Sequence, residues 1–339
     1  MAQQIVQDEL VRDTNVVAIN ALKRPGPRNE LGVHQSFIGL LAAWDRIKFR
    51  RGGGTVAARL KYTYASTGTA EHYSKNDPAQ PAGNESVKAA DVDYAFVRDV
   101  IDVHNFDEAA SEGSQHDTDE SLVSSKLITA KKNIVSILET ALVTGDGTNN
   151  KPQGLDFWIN DASVYGSINQ ATDSWAASTV VDAASAALSH NHLREAQEGA
   201  TDDNGARIDV IISSQRQADK YKQLMDGRVE FTTMMIADIE FRGFMYDGIP
   251  WIILSQFPKG DIYGLTMSEL TWLIMLQKDN SEKGMVPLAE MEHAGLPFAV
   301  RPIDAGGVDS NKGQVTMYHS FWVDRQFKCW RIENLSQTL

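Results

Sequence analysis

The chain contains one cysteine, Cys329, among 339 residues. A single thiol cannot close an internal disulfide or supply a zinc cluster, so whatever holds this protein together is non-covalent or bonded through something other than sulfur. Long apolar runs are also missing. The longest stretch without a charged side chain, residues 31–44, is 14 residues long and includes His34, Gln35 and Ser36, too short and too polar to span a bilayer. No membrane span is expected. Met1-Ala2-Gln3-Gln4 leads into acidic and polar residues, not into a basic start and an apolar run, so no secretory signal is read and folding in the cytoplasm is the expectation. No self-similarity recurs at a period of 20–50 residues, which disfavours solenoids and propellers.

What is present describes a folded, acidic protein. Hydrophobic residues make up 42% and charged residues 23%, close to soluble globular averages, so a sizeable core is available. The length allows two or three compact domains, or one core carrying large excursions. The formal charge is −13 and unevenly spread. Residues 1–51 hold eight basic side chains (Arg12, Lys23, Arg24, Arg28, Arg46, Lys48, Arg50, Arg51) against five acidic ones, net +3, which leaves −16 for the remainder. A basic arm precedes an acidic body. Such an arm suits nucleic acid, the acidic surface of a neighbouring copy, or simple solvation, while an acidic body is repelled by DNA and anionic lipid.

Four textures follow along the chain. Residues 1–51 mix short apolar clusters with the breaker string Arg24-Pro25-Gly26-Pro27 and read as an arm with helical patches. Residues 52–112 read as a long hairpin. Val56, Ala58, Leu60, Tyr62 and Tyr64 alternate on one strand, Tyr94, Phe96, Arg98 and Val100 on the other, with a polar tip at residues 74–85. An isolated two-stranded hairpin is marginal in water, so arm and hairpin are expected to lie on other subunits. From Asp117 or Thr118 the period changes. Val123, Leu127, Ala130, Ile134, Ile137, Leu138 and Ala141 step by three or four, which predicts a helix of about 26 residues and roughly 39 Å. It stops at Thr144-Gly145-Asp146-Gly147. Beyond residue 155, helix and strand patterns alternate. Val180, Val181, Ala184, Ala187 and Leu188 predict a helical face, residues 208–212 a buried strand, 214–225 a capped helix, and 250–254 and 262–266 strands. Two aromatic-rich runs between residues 314 and 335 predict a closing hairpin. The fold class is α+β.

Candidate chemistry is thin. Arg51-Gly52-Gly53-Gly54-Thr55 is followed by a strand where a phosphate loop requires a helix, so a hinge is expected. His190 and His192 fall two apart in a predicted helix and diverge. Glu290, Glu292 and His293 offer three ligand types within four residues, the basis of a metal-dependent hydrolase reading, but a solvated edge strand is the default. Residues 146–151 lack the spacing and closing Glu of a calcium loop, which leaves a turn. No Gly-x-Ser-x-Gly elbow occurs. No catalytic, cofactor-binding or metal-binding residue is assigned, no cofactor is expected, and the chain is read as no enzyme.

The string from Leu138-Glu139-Thr140 through Gly145-Asp146-Gly147-Thr148-Asn149-Asn150-Lys151-Pro152-Gln153-Gly154-Leu155 resembles the end of the spine helix and the following turn in major capsid proteins of tailed bacteriophages, the Hong Kong 97-like fold. Ile208-Asp209-Val210-Ile211-Ile212 with the helix to Asp226-Gly227, Gly248-Ile249-Pro250-Trp251, and Ile332-Glu333-Asn334-Leu335 resemble later parts of that fold in order. The resemblance implies an N-terminal arm (1–51), an extended β-hairpin loop (52–112), a peripheral domain with the spine helix (113–155 and 285–339) and an axial domain (156–284). It implies a structural protein whose many copies form hexamers and pentamers of an icosahedral virion shell around double-stranded DNA, without sequence-specific DNA binding, assembled in the host cytoplasm. Implied partners are a portal, a separate scaffolding protein or none, and a decoration protein. Some relatives cross-link Lys to Asn; Lys61, Lys75, Lys88 and Asn334 are the residues to follow, with unlinked copies the expectation. The alternative is an encapsulin-like compartment with enzyme cargo.

Overall fold

The computed structural model describes residues 36–51, 56–66, 85–104, 122–225, 232–236, 239–276, 296, 298–303 and 310–338. They divide into two units. One holds Phe96–Leu138 and Leu276–Met317; the other holds His34–Ala95, Glu139–Met275 and Tyr318–Leu339.

Strand β4 (Ala95–His104) pairs with β15 (Ser310–Val323), and strand β14 (Ala299–Ile303) pairs with the leading part of β15 in antiparallel register, Val300 opposite Val315. Ile101, Val103, Val315 and Met317 turn inward. Helix α2 (Leu122–Thr144) has 23 residues, about 35 Å at the α-helical rise. It is tied to β4 by Lys126, whose Nζ donates to the Asp102 carbonyl at 2.6 Å, and by Asn133, whose amide donates to Asp99 at 3.0 Å. The candidate caps Asp117 and Thr118 lie outside the described residues. Ala130, Ile134, Leu138 and Leu142, four apart, are buried, with Val135 and Val143 beside them. Ile137, expected on this face, is 55% exposed, because a step of three from Ile134 carries it past the buried stripe.

The second unit is built on a mixed sheet in the order β7-β16-β12-β8-β11-β10-β9. Its strands are β7 (Thr179–Asp182), β8 (Val210–Ser213), β9 (Thr232–Ile236), β10 (Ile239–Tyr246), β11 (Ile249–Ile253), β12 (Ile262–Leu265) and β16 (Trp330–Glu333). Every residue of β8 is buried, as a central strand flanked by β11 and β12 requires. Helices α4 (His190–Glu198) and α5 (Gln215–Leu224) contribute Leu193, Ala196, Ala218 and Tyr221 to a core shared with Phe244, Trp251 and Trp330. Tyr221 stacks on Phe244 with ring centroids 5.2 Å apart. Trp251 donates its indole N–H to the Ser213 hydroxyl at 2.7 Å, and Trp330 donates to Gln197 at 3.1 Å. Asp247 and Gly248, at φ 48° and 78°, form the two-residue loop of the β10–β11 hairpin.

Residues 36–51, the last part of the expected arm, form helix α1 (Phe37–Ala43) and strand β1 (Ile47–Arg51). Phe37, Leu40 and Leu41 are fully buried, and Phe37 packs edge-on against Phe257 and Phe321. Strand β1 lies beside β13 (Leu270–Leu276). The positive excess therefore has a definite location. Residues 1–35 carry four basic and four acidic side chains, so the net +3 comes from Arg46, Lys48, Arg50 and Arg51 against Asp45, around an ordered strand.

Three expectations are corrected. Val180 and Val181 belong to β7, and Ala184 to a turn in which Ala184 and Ser185 stand at φ 46° and 66°; the helix begins at His190, capped by the Ser189 hydroxyl. Parallel pairing with β16 claims the two β-branched valines, which apolar spacing alone assigns to a helix. The return strand of the hairpin is β3 (Glu85–Asp93), while Tyr94 ends it and β4 goes to another sheet. The runs before and after Asp324 are not a hairpin either. β15 pairs with β13 and β14, whereas β16 inserts between β7 and β12, so the chain changes sheets at residues 324–329.

Candidate assembly site

The hairpin and the turn that ends α2 are the parts with a functional expectation. Strands β2 (Val56–Ser66) and β3 pair antiparallel, with Leu60 opposite Ala90 and Tyr62 opposite Lys88. The period of two sorts the side chains into faces. Arg59, Lys61, Thr63, Val87 and Asp91 are exposed, with Arg59 and Asp91 in a forked pair at 2.6 and 2.7 Å. That pair holds the Asp91 carboxyl below its ordinary range by hydrogen bonding, but so exposed a bridge adds little stability.

The opposite face is docked on residues 164–176 of the same chain, where the short strands β5 (Val164–Tyr165) and β6 (Ile168–Asn169) pair antiparallel. Leu60, Ala90 and Val92 on this face are buried. Tyr64 stacks on Trp175 at 5.2 Å and 16°, Tyr62 lies 5.7 Å from the same indole, and the Ser167 hydroxyl donates to the Ala89 carbonyl at 2.8 Å. Gly166, at φ 56°, approaches so closely that a Cβ would sit 2.8 Å from the Ala90 Cα. Lys88 donates to both oxygens of Asp173 at 2.7 Å, with side chains only 30% and 13% exposed. Asp173 also accepts from the Asn169 backbone N–H at 3.1 Å. The Lys88 contact, then the Asn169 N–H, hold its carboxyl below the ordinary range. The expectation that the hairpin lies on other subunits is thus corrected for the described parts of strands β2 and β3. The hinge at Gly52, Gly53 and Gly54 and the tip, apart from Glu85, lie outside the described residues.

The turn after α2 is explained atom by atom. Asp146 accepts from the Thr148 N–H at 3.0 Å and its hydroxyl at 2.8 Å, and the Thr148 backbone bond is the main reason its carboxyl titrates low. Asn149 and Asn150 take φ 51° and 59°, the region asparagine tolerates best after glycine. A Cβ on Gly145 would lie 2.2 Å from the Pro152 carbonyl. Residues 146–151 are a turn, as expected. Trp158, on the short helix α3 (Leu155–Trp158), donates its indole N–H to the carbonyls of Gln153 and Phe321. Behind it, Tyr263 donates to Asp156 and Arg331 contacts Asp261 at 2.9 Å and Glu333 at 3.3 Å. Burial raises the Asp156 carboxyl, and Arg331 opposes that shift.

The remaining candidates scatter. His190 and His192 sit in the first turn of α4, His190 edge-on to Tyr221. Glu290, Glu292 and His293 lie outside the described residues, as does Lys75. Cys329 is fully buried, with its thiol pushed up to about 12 by burial, so it is not a nucleophile. Lys61 is exposed on the outer hairpin face, Lys88 is engaged by Asp173, and the Asn334 amide donates to Asp182 at 3.0 Å. Among the described residues no group of three or more His, Cys, Asp or Glu is placed to hold a metal ion. The docking residues 164–176 were missed from sequence. Lys88 and Asp173 are 85 positions apart, and no local pattern links them.

No protein-family model and no curated protein matches the chain. Solved structures do. The cyanophage A-1(L) capsid subunit superposes with a TM-score of 0.70 at 16% identity, covering 88% of this chain and 92% of that one. An encapsulin complex from Synechococcus elongatus gives 0.58 at 13% identity, covering 95% and 96%. The capsid of a native GTA particle gives 0.57 at 11%, covering 92% and 93%. The fold of this chain is accordingly the α+β, Hong Kong 97-like fold of tailed-bacteriophage major capsid proteins.

Proposed function

We propose that this chain is the major capsid protein of a tailed bacteriophage, a non-enzymatic building block whose copies form the hexamers and pentamers of an icosahedral virion shell enclosing double-stranded DNA. The observation that carries the reading is a fold shared over nearly the whole chain with shell-forming proteins, the cyanophage capsid first among them. Identity this low speaks to fold, so the function rests on what the fold is built to do. The division that goes with this reading is arm 1–51, extended loop 52–112, peripheral domain 113–155 and 285–339 with the spine helix, and axial domain 156–284. Each contact between copies is weak alone and repeated many times per shell. Phe96 and Val100, 56% and 52% exposed on one face of β4, and Phe49, 49% exposed on β1, are surfaces for a neighbouring copy to cover. A net charge of −13 suits a wall that contains DNA without gripping it. A portal, separate scaffolding and decoration proteins would complete the particle, assembled in the host cytoplasm.

Similarity to an encapsulin over 95% of the chain favours a second reading, a compartment with enzyme cargo. Electron microscopy of the purified protein tests both. Closed shells carrying nuclease-protected DNA support the capsid. Closed shells carrying an enzyme and no DNA support the compartment, and monomers or dimers alone refute both.

A further inference from the structure

We propose that residues 164–176 are a cradle that sets the pose of the hairpin on its own subunit before a neighbour is met, and that the Lys88–Asp173 pair is its directional catch. This rests on the shell-subunit reading for its purpose, though not for its geometry. Four kinds of contact converge on one face of strands β2 and β3: the Tyr64–Trp175 stack, the Gly166 approach to Ala90, the Ser167 bond to the Ala89 carbonyl and the ion pair. The aromatic and glycine contacts give depth but tolerate sliding, since a ring stack is broad and a van der Waals approach has no preferred direction. A lysine held by two oxygens at 2.7 Å, on a carboxylate itself fixed by the Asn169 N–H, does not. Lys88 also lies 5.6 Å over the Tyr64 ring, so catch and stack hold each other in place.

Leverage explains why a mount is needed. Tyr62, opposite Lys88, stands six residues and about 20 Å along strand β2 from Val56, so a tilt of 10° about Val56 would move it by about 4 Å, more than the Lys88–Asp173 pair allows. Contacts between copies tolerate far less. A hairpin already seated on its own subunit also meets its neighbour without paying the ordering entropy at that moment. The catch is not a pH switch. Lys88 holds Asp173 below the ordinary carboxylate range, so the pair persists from neutral to mildly acidic pH.

The test uses the full chain with Asp173→Asn, which keeps the acceptor for Asn169, and Lys88→Met, which keeps the stem. Hydrogen exchange of the β3 amides is followed in dissociated subunits, and shell yield is followed by sedimentation. Exchange of residues 85–93 should quicken about tenfold or more in either variant. Shell yield should fall several-fold while the thermal midpoint moves by less than about 3 °C. Lys88→Arg, which can still grip both oxygens, should restore both readouts. Unchanged β3 exchange overturns the cradle, and faster exchange with full shell yield overturns its role in assembly. Wild-type protein that forms no shells sinks the shell reading instead, and the exchange measurement still decides the cradle.

Discussion

His319 makes the subunit acid-sensitive by an amount that can be worked from its surroundings. It sits on β15 opposite Ile274 and is 1% exposed, and its Nδ1 accepts the Trp272 indole N–H at 3.3 Å. Burial pushes its pKa down to about 3, against an ordinary value near 6.5. The folded chain keeps this imidazole neutral while the unfolded chain takes up a proton below about pH 6.5. The associated stability is therefore fully present above that pH and is lost as pH falls toward about 3. Between pH 6.5 and pH 5 the loss is about 1.5 pH units at 1.36 kcal/mol each, about 2 kcal/mol. Urea unfolding of dissociated subunits at pH 7 and pH 5 measures it. In His319→Asn the amide oxygen can stand in for Nδ1 as acceptor, so the variant should lose about 2 kcal/mol less than wild type over that interval, whatever its stability at pH 7. Equal losses in the two chains, or a histidine resonance at this site titrating near pH 6.5, would refute the argument.

Two further substitutions probe the second unit. A Cβ on Gly264 would lie 2.1 Å from Cε2 of the fully buried Trp330. Gly264→Ala should therefore destabilise by about 2–3 kcal/mol, seen as a lowered unfolding midpoint, and an unchanged midpoint would show that the indole has room to move. Ser185→Gly places glycine at φ 66°, where a side chain is strained, and should stabilise by about 0.5–1 kcal/mol; a loss of stability by the same assay counts against strain in this turn.

Local order was legible wherever one segment carries the whole signal. The stripe from Ala130 to Leu138 in α2, its stop at Gly145, the buried run of β8 and the helix after Ser214 all follow from spacing and stop chemistry within a few residues. Legibility failed where a distant partner decides. Val180 and Val181 suit a helix or a strand until β16 is laid parallel to them, and the sequence Lys88-Ala89-Ala90-Asp91 carries too little apolar contrast to announce the return strand of the hairpin. The two aromatic runs near the C-terminus look like neighbours because they are close in sequence, yet each is claimed by a different sheet.

By itself, the sequence determined that this protein is cross-linked by no internal disulfide, that one long helix ends in a glycine-rich turn, and that an alternating hairpin stands apart from the helical pattern. Those properties depend on residue chemistry and on short-range periodicity, which every conformation of the chain carries with it. Only the tertiary structure decided that the basic segment 46–51 forms a strand beside β13, that the hairpin strands are mounted on residues 164–176, and that Lys88 meets Asp173. A period of two tells which side chains share a face, but which surface keeps that face dry is settled by long-range packing, where residues 85 positions apart compete for the same buried area.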